Sequence, residues 1–113
     1  KAETLGIIGD VRGMQARLFD DEIDTAGSIT SAVRALLDAG ASEAYACATH
    51  HILSGPAIER LTASPIKEVV VTDTVPVPER KRIPKITVLS TANLLGEAIH
   101  RIHGGQSIGA MFE

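Results

Sequence analysis

Tryptophan is missing from this 113-residue chain, and Phe19, Tyr45 and Phe112 are its only aromatic residues. A core with so few large rings must be assembled from Ile, Val, Leu and Ala, as in many layered α/β proteins. Cysteine is reduced to Cys47, which excludes an internal disulfide and suits a reducing cytosol, so a cytoplasmic location is expected. No apolar run approaches the roughly 20 residues of a membrane span, and no signal peptide is visible, so no membrane partner is expected. Positive charge is also short: 11 Lys and Arg stand against 14 Asp and Glu, a formal charge of −3. Basic residues cluster only at Arg80-Lys81-Arg82, between Pro78 and Pro84, where turn chemistry predicts a solvated loop. Nucleic acid, which calls for a broad positive face, is therefore not an expected partner. Neither GxxxxGK[ST] nor GxGxxG occurs, which removes the usual nucleotide phosphate loop and the dinucleotide fingerprint.

What is present is a regular alternation of apolar periods. Leu5-Gly6-Ile7-Ile8 and Arg17-Leu18-Phe19 read as short strands, the second ending at an acidic pair. Ile29, Ala32, Val33, Leu36 and Leu37 form one face of a helix, with Gly40 as its stop signal. Ala44 to Thr49 reads as a buried strand, Ser54-Gly55-Pro56 opens a second helix, and Pro65 ends it. Glu68 to Thr72, rich in valine, is the strongest strand signal and suits a central strand buried on both faces. Ile86 to Leu89 supplies another strand, and a helix from about Asn93 carries Leu95, Ala98, Ile99 and Ile102 on one side before Gly104-Gly105. Such alternation predicts an α/β fold of three layers, a mostly parallel sheet with helices on both faces. The chain starts at Lys1 rather than Met and reaches a strand signal almost at once, so it reads as an incomplete domain.

Ligands of parallel sheets bind at the carboxyl ends of the strands, which here places loops beginning at Asp20, His50, Asp73 and Ser90 on the candidate edge. The first is the most informative. Asp20, Asp21 and Asp24 precede the small-residue turn Thr25-Ala26-Gly27-Ser28 at the head of a helix. Small residues let a phosphate approach the backbone, and helix-leading N–H groups favour an anion. An ordinary N-cap by Thr25 or Ser28 would look partly similar, though it leaves the three aspartates unexplained. Carboxylates this close to a dianionic phosphate repel it unless a cation intervenes, and Mg²⁺, held by Asp20 and Asp21 directly or through water, is the natural one. Asp24 is expected to accept N–H bonds within the turn. His50 and His51 are adjacent on an extended chain, so their rings point apart and make poor joint ligands. His100 and His103 share a helix face, but their place near the helix end favours a dipole interaction over a metal. Cys47 in an apolar strand has no activated-thiol setting.

The stretch from Asp20 to Ser28 resembles the ribose-phosphate loop of the type I phosphoribosyltransferase superfamily. Ala48-Thr49-His50, Leu53-Ser54-Gly55-Pro56-Ala57, Val70-Val71-Thr72-Asp73-Thr74 and Glu97 to His103 extend the similarity to the carboxyl-terminal part of the ribose-phosphate diphosphokinases, in one register from about Gly9 to Glu113. The resemblance implies a phosphoribosyltransferase-like domain over residues 1–113, the second of two domains. It implies ribose 5-phosphate bound by Asp20, Asp21, Asp24, Thr25, Ala26, Gly27 and Ser28, ATP as second substrate, Mg²⁺ as cofactor, and a homo-oligomer, a hexamer. The implied reaction moves a diphosphoryl group from Mg-ATP to the ribose 1-hydroxyl, giving 5-phosphoribosyl 1-diphosphate for nucleotide biosynthesis. The family's catalytic Lys and Arg loop would lie upstream of Lys1, so the chain alone is expected to make no product. Ser28 stands where Thr is typical, and Glu22 where an apolar residue is common. Two alternatives remain: a phosphoribosyltransferase using the same loop, and a noncatalytic synthetase-associated regulatory subunit.

Overall fold

The structure is a computed structural model that describes residues 6–113. Its frame is β1 (Gln15–Ile23), α1 (Gly27–Asp38), β2 (Glu43–His51), α2 (Ala57–Ala63), β3 (Glu68–Thr72), β4 (Ile86–Leu89) and α3 (Ala92–His103). Short 3₁₀ turns at Glu79–Lys81 and Gly109–Phe112 complete it. The four strands lie in the order β1-β2-β3-β4, every neighbouring pair parallel, as the alternation of periods predicts.

The core forms where the two periods meet. Ala44, Ala46 and Ala48 alternate on one face of β2, Val69 and Val71 do so on β3, and all are at most 5% exposed. The small alanines let α1 and α2 come close, and Ile29, Val33, Ala57 and Leu61 fill the space between helices and sheet. Helix α1 ends as its glycine predicts: Gly40 takes φ +101°, and the Ala41 N–H reaches back to the Leu36 carbonyl at 3.0 Å. Helix α2 ends at Ser64, which is extended because it precedes Pro65. Its last carbonyls are closed by one ammonium from the start of β4: Lys85 Nζ donates to Leu61 O, Thr62 O and Ser64 O at 3.1, 3.2 and 2.5 Å.

Five expectations change. Gly6 to Ile8 form no strand, since no strand among the described residues pairs with them; Leu5 lies outside the described residues. The first paired strand does not stop at the acidic pair but runs through it to Ile23, its ladder matching Asp20 to Ala48 and Glu22 to His50. Helices do not cover both faces among the described residues. With strands in sequential order, right-handed crossovers all fall on one side, and the opposite face leaves Phe19 77% exposed and Leu89 54% exposed. Strand β3 is accordingly sealed on the Val69 and Val71 side only, Val70 being half-buried. Finally, α3 buries none of its residues, and Leu95, Ile99 and Ile102 share a face that is open here.

A polar link fastens the start of α3 to the end of β3. Asp73 Oδ1 accepts from the Thr91 N–H at 2.8 Å and the Thr91 hydroxyl at 2.7 Å, and these bonds hold its carboxyl below the usual aspartate range. The folded-state pKa is depressed, so the link stabilises fully above the ordinary aspartate pKa and is lost as pH falls through the lowered value. Acid titration followed by amide exchange should show Thr91 losing protection in that window before the β2–β3 ladder does. In Asp73→Asn that early step should vanish; an unchanged Thr91 profile would show that the link carries no stability.

Candidate functional site

Residues 20–29 enclose a cavity of about 280 Å³ at the carboxyl edge of the sheet. The alternation of burial along this segment fixes its shape. Ile23, Ala26 and Ile29 are buried and anchor it to the core, while Asp24, Thr25 and Ser28 stand exposed around the rim. The seven residues singled out from the sequence therefore lie together around one hollow.

The bend itself is built by an unusual backbone. Ala26, the residue before α1, has φ 63° and ψ 11°, a left-handed conformation that costs a non-glycine residue about 1 kcal/mol or more. It is held there by Thr30, whose buried hydroxyl and N–H both bond the Ala26 carbonyl, at 2.7 and 3.1 Å. No side chain caps α1, so the N-cap reading of Thr25 and Ser28 does not hold. The first amides of the helix have no intrahelical acceptor in any α-helix, and here no cap covers them.

A second loop braces the first. The Ile52 and Leu53 N–H groups both donate to the Ile23 carbonyl, at 2.9 and 3.1 Å, and the Ser54 N–H donates to the Asp24 carbonyl at 3.0 Å. Leu53, 1% exposed, also has a positive φ of 52°. Ala26 and Leu53 are the non-glycine residues with positive φ among the described residues, and they sit in the two loops that meet. The Ser54 hydroxyl donates to the Asp24 carboxylate. Asp24 is thus satisfied from β2–α2 rather than by N–H groups of its own turn, which corrects the expectation for it. Arg60 Nη1 donates to the Thr25 carbonyl at 3.1 Å from α2.

The paired acids lie at the exposed end of β1. Asp20 Oδ1 accepts from the Asp21 N–H at 2.8 Å, and Asp21 Oδ1 from the Glu22 N–H at 2.9 Å, which leaves Oδ2 of each carboxylate outside these bonds. The Asp21 carboxyl is held below its usual range, first by its contact with the Asp20 side chain and then by the Glu22 N–H. Among the described residues no group of three or more His, Cys, Asp or Glu side chains converges as a metal site. Two carboxylates with free oxygens still suit Mg²⁺, which commonly takes one or two carboxylates and completes its octahedron with water and phosphate oxygens.

The histidines separate as adjacent strand residues should. His50 is exposed with Nδ1 2.8 Å from the Thr74 hydroxyl, while His51 is 1% exposed with Nε2 2.5 Å from the Val75 carbonyl. Both tie β2 to the loop after β3. No helix among the described residues is long and apolar enough to cross a membrane.

Strand order, crossover side and an acid-flanked turn at the carboxyl edge define the class: a parallel α/β domain whose ligand edge is organised around the first crossover. The chain belongs to the phosphoribosyl synthetase-associated domain family, which matches it over residues 1–113. It is 63% identical over 111 residues to the ribose-phosphate pyrophosphokinase of Caldanaerobacter subterraneus, covering 98% of this chain and 35% of that protein. Against the enzyme of the same name from Synechococcus elongatus it is 57% identical over 112 residues, covering 98% of this chain and 34% of the relative. The crystal structure of phosphoribosylpyrophosphate synthetase from Mycobacterium smegmatis superposes with a TM-score of 0.84 at 45% identity, over 87% of this chain and 33% of that one. The chain spans about a third of the length of the curated relatives it matches.

Proposed function

We propose that the protein carrying this chain is a ribose-phosphate diphosphokinase and that this chain is the carboxyl-terminal part of its two-domain subunit. The observation that carries the proposal is the turn 24–28: it is bent and braced from outside by Thr30, Ser54 and Arg60, and its inner side offers uncapped helix amides. A preformed, small-residue bend of that kind suits the 5-phosphate of a pentose. Ser28 and Thr25 hydroxyls add donors at the rim. Asp20 and Asp21 then face the sugar hydroxyls, accepting hydrogen bonds from them.

In the proposed reaction the ribose 1-hydroxyl oxygen attacks the β-phosphorus of ATP. The new O–P bond forms as the bond from the β-phosphorus to the bridging oxygen of the α-phosphate breaks; AMP leaves and the hydroxyl proton is released. Positioning and charge stabilisation carry such a transfer, with no covalent nucleophile needed. This chain's part is to hold and orient the sugar. Bound Mg²⁺, which Asp20 and Asp21 would help hold, supplies charge neutralisation between carboxylates and phosphates. The basic catalytic loop and the ATP contacts belong, on this proposal, to the rest of the subunit, and the assembled form is a homo-oligomer, a hexamer by resemblance.

Calorimetry on the complete protein tests the site. Ribose 5-phosphate should bind saturably and more tightly with Mg²⁺ present, whereas ribose lacking the phosphate should bind far more weakly. Equal heats for the two sugars would remove the phosphate assignment.

A further inference from the structure

We infer that Arg60 is a positioning residue for the 5-phosphate turn, an inference that rests on the ribose 5-phosphate reading above. Its contact with the turn crosses the fold. Arg60 is an exposed residue of α2, a helix anchored in the core by Ala57 and Leu61, both 0% exposed. Nη1 donates to the Thr25 carbonyl at 3.1 Å. In a trans peptide the carbonyl and the following N–H point in opposite directions, so holding the Thr25 carbonyl toward α2 turns the Ala26 N–H to the other side of the bend.

The same planar cation also lies against the next residue but one. A Cβ built on Gly27 would come within 3.1 Å of Arg60 Nη1 and 3.9 Å of its Cζ. Guanidinium and glycine therefore fit each other, and one side chain limits both the peptide orientation at Thr25 and the space at Gly27. It does this while placing a permanent positive charge against a turn that follows Asp20, Asp21 and Asp24 in the chain. That charge partly offsets their repulsion of a dianionic phosphate. A lysine would keep the charge but not the planar, multiply donating head.

Arg60 touches neither the reacting atoms nor, on this geometry, the sugar. Its removal should therefore act on ribose 5-phosphate recognition rather than on the chemical step. In the complete protein, Arg60→Ala should raise KM for ribose 5-phosphate about tenfold while kcat and KM for Mg-ATP change by less than about twofold. Arg60→Lys should fall between the two. Added guanidinium ion should restore affinity to Arg60→Ala. Arg34→Ala provides the control: Arg34 lines the same groove between α1 and α2, of about 420 Å³, and should leave KM unaltered and show no such rescue. A melting temperature and a urea midpoint unchanged from the parent's would separate positioning from loss of fold. An unchanged KM in Arg60→Ala overturns the inference, as does a rise shared equally by both substrates and accompanied by a lowered melting temperature. Failure of the unsubstituted protein to bind ribose 5-phosphate would instead overturn the site reading, and it shows in the parent arm alone.

Discussion

On the proposed function, Asn at both positions 20 and 21 should lower synthesis of 5-phosphoribosyl 1-diphosphate by the complete protein on the order of a hundredfold or more, while the fold stays intact. The structure separates the two effects. The hydrogen bonds that hold these side chains use Oδ1 of each, accepting from the Asp21 and Glu22 N–H groups, and an asparagine oxygen can accept in the same place. What asparagine cannot supply is the negative charge on the remaining oxygens. Removing it takes away the counter-charge for Mg²⁺ and weakens the acceptors for sugar hydroxyls. The variant should retain its melting temperature, bind ribose 5-phosphate with an affinity that no longer improves on adding Mg²⁺, and turn over slowly. Synthesis at the parent rate would show that the Asp20 and Asp21 carboxylates are not part of the working site.

Leu61→Ala should be the most destabilising single change near the site. Leu61 is 0% exposed and lies in the cluster that joins α2 to α1 and the sheet. Truncating such a leucine typically costs about 2–5 kcal/mol, a substantial share of a domain's stability of about 5–15 kcal/mol. Its position gives the loss a functional side. Leu61 follows Arg60 in the same two-turn helix, and its carbonyl is one of those that Lys85 closes. A helix that no longer seats firmly releases its grip on the Thr25 carbonyl, so KM for ribose 5-phosphate should rise together with the loss of stability in urea unfolding. Leu61→Met, which keeps volume, should cost less than about 1.5 kcal/mol and leave KM near the parent value. If Leu61→Ala unfolded at the parent's urea midpoint, α2 would not be part of the cooperative core.

The elements that could be read from the sequence are those whose apolar period is set locally. Helix α1 follows from Ile29, Val33 and Leu37, and β3 from its run of valines, whose bounds Glu68 and Thr72 are those expected. The misreadings arise where pairing overrides composition. Asp20, Asp21 and Glu22 have poor strand propensity, yet they remain in β1 because their side chains are exposed while the backbone of Asp20 and Glu22 pairs with β2. Ile7 and Ile8 have good propensity but no strand partner among the described residues.

The site divides in the same manner. Its front could be read because acids beside a small-residue turn are a chemical statement made within nine residues. The bracing could not, because Ser54 and Arg60 meet Asp24 and Thr25 across separations of 30 and 35 residues. From the sequence, Ser54 reads as the opening of a helix and as part of a stretch that carries the resemblance, and Arg60 is not singled out. The available hint was positional: Ser54-Gly55-Pro56 follows the neighbouring parallel strand, so its loop had to emerge beside the first one.

Ala26 and Leu53 draw the last consequence. Two residues forced into left-handed geometry, each pinned by hydrogen bonds to a different part of the fold, mean that the bend is set while the chain folds and not when its guest arrives. Capture of a sugar phosphate there should then be governed by collision frequency and the ionic atmosphere, with no slow unimolecular phase at saturating concentrations.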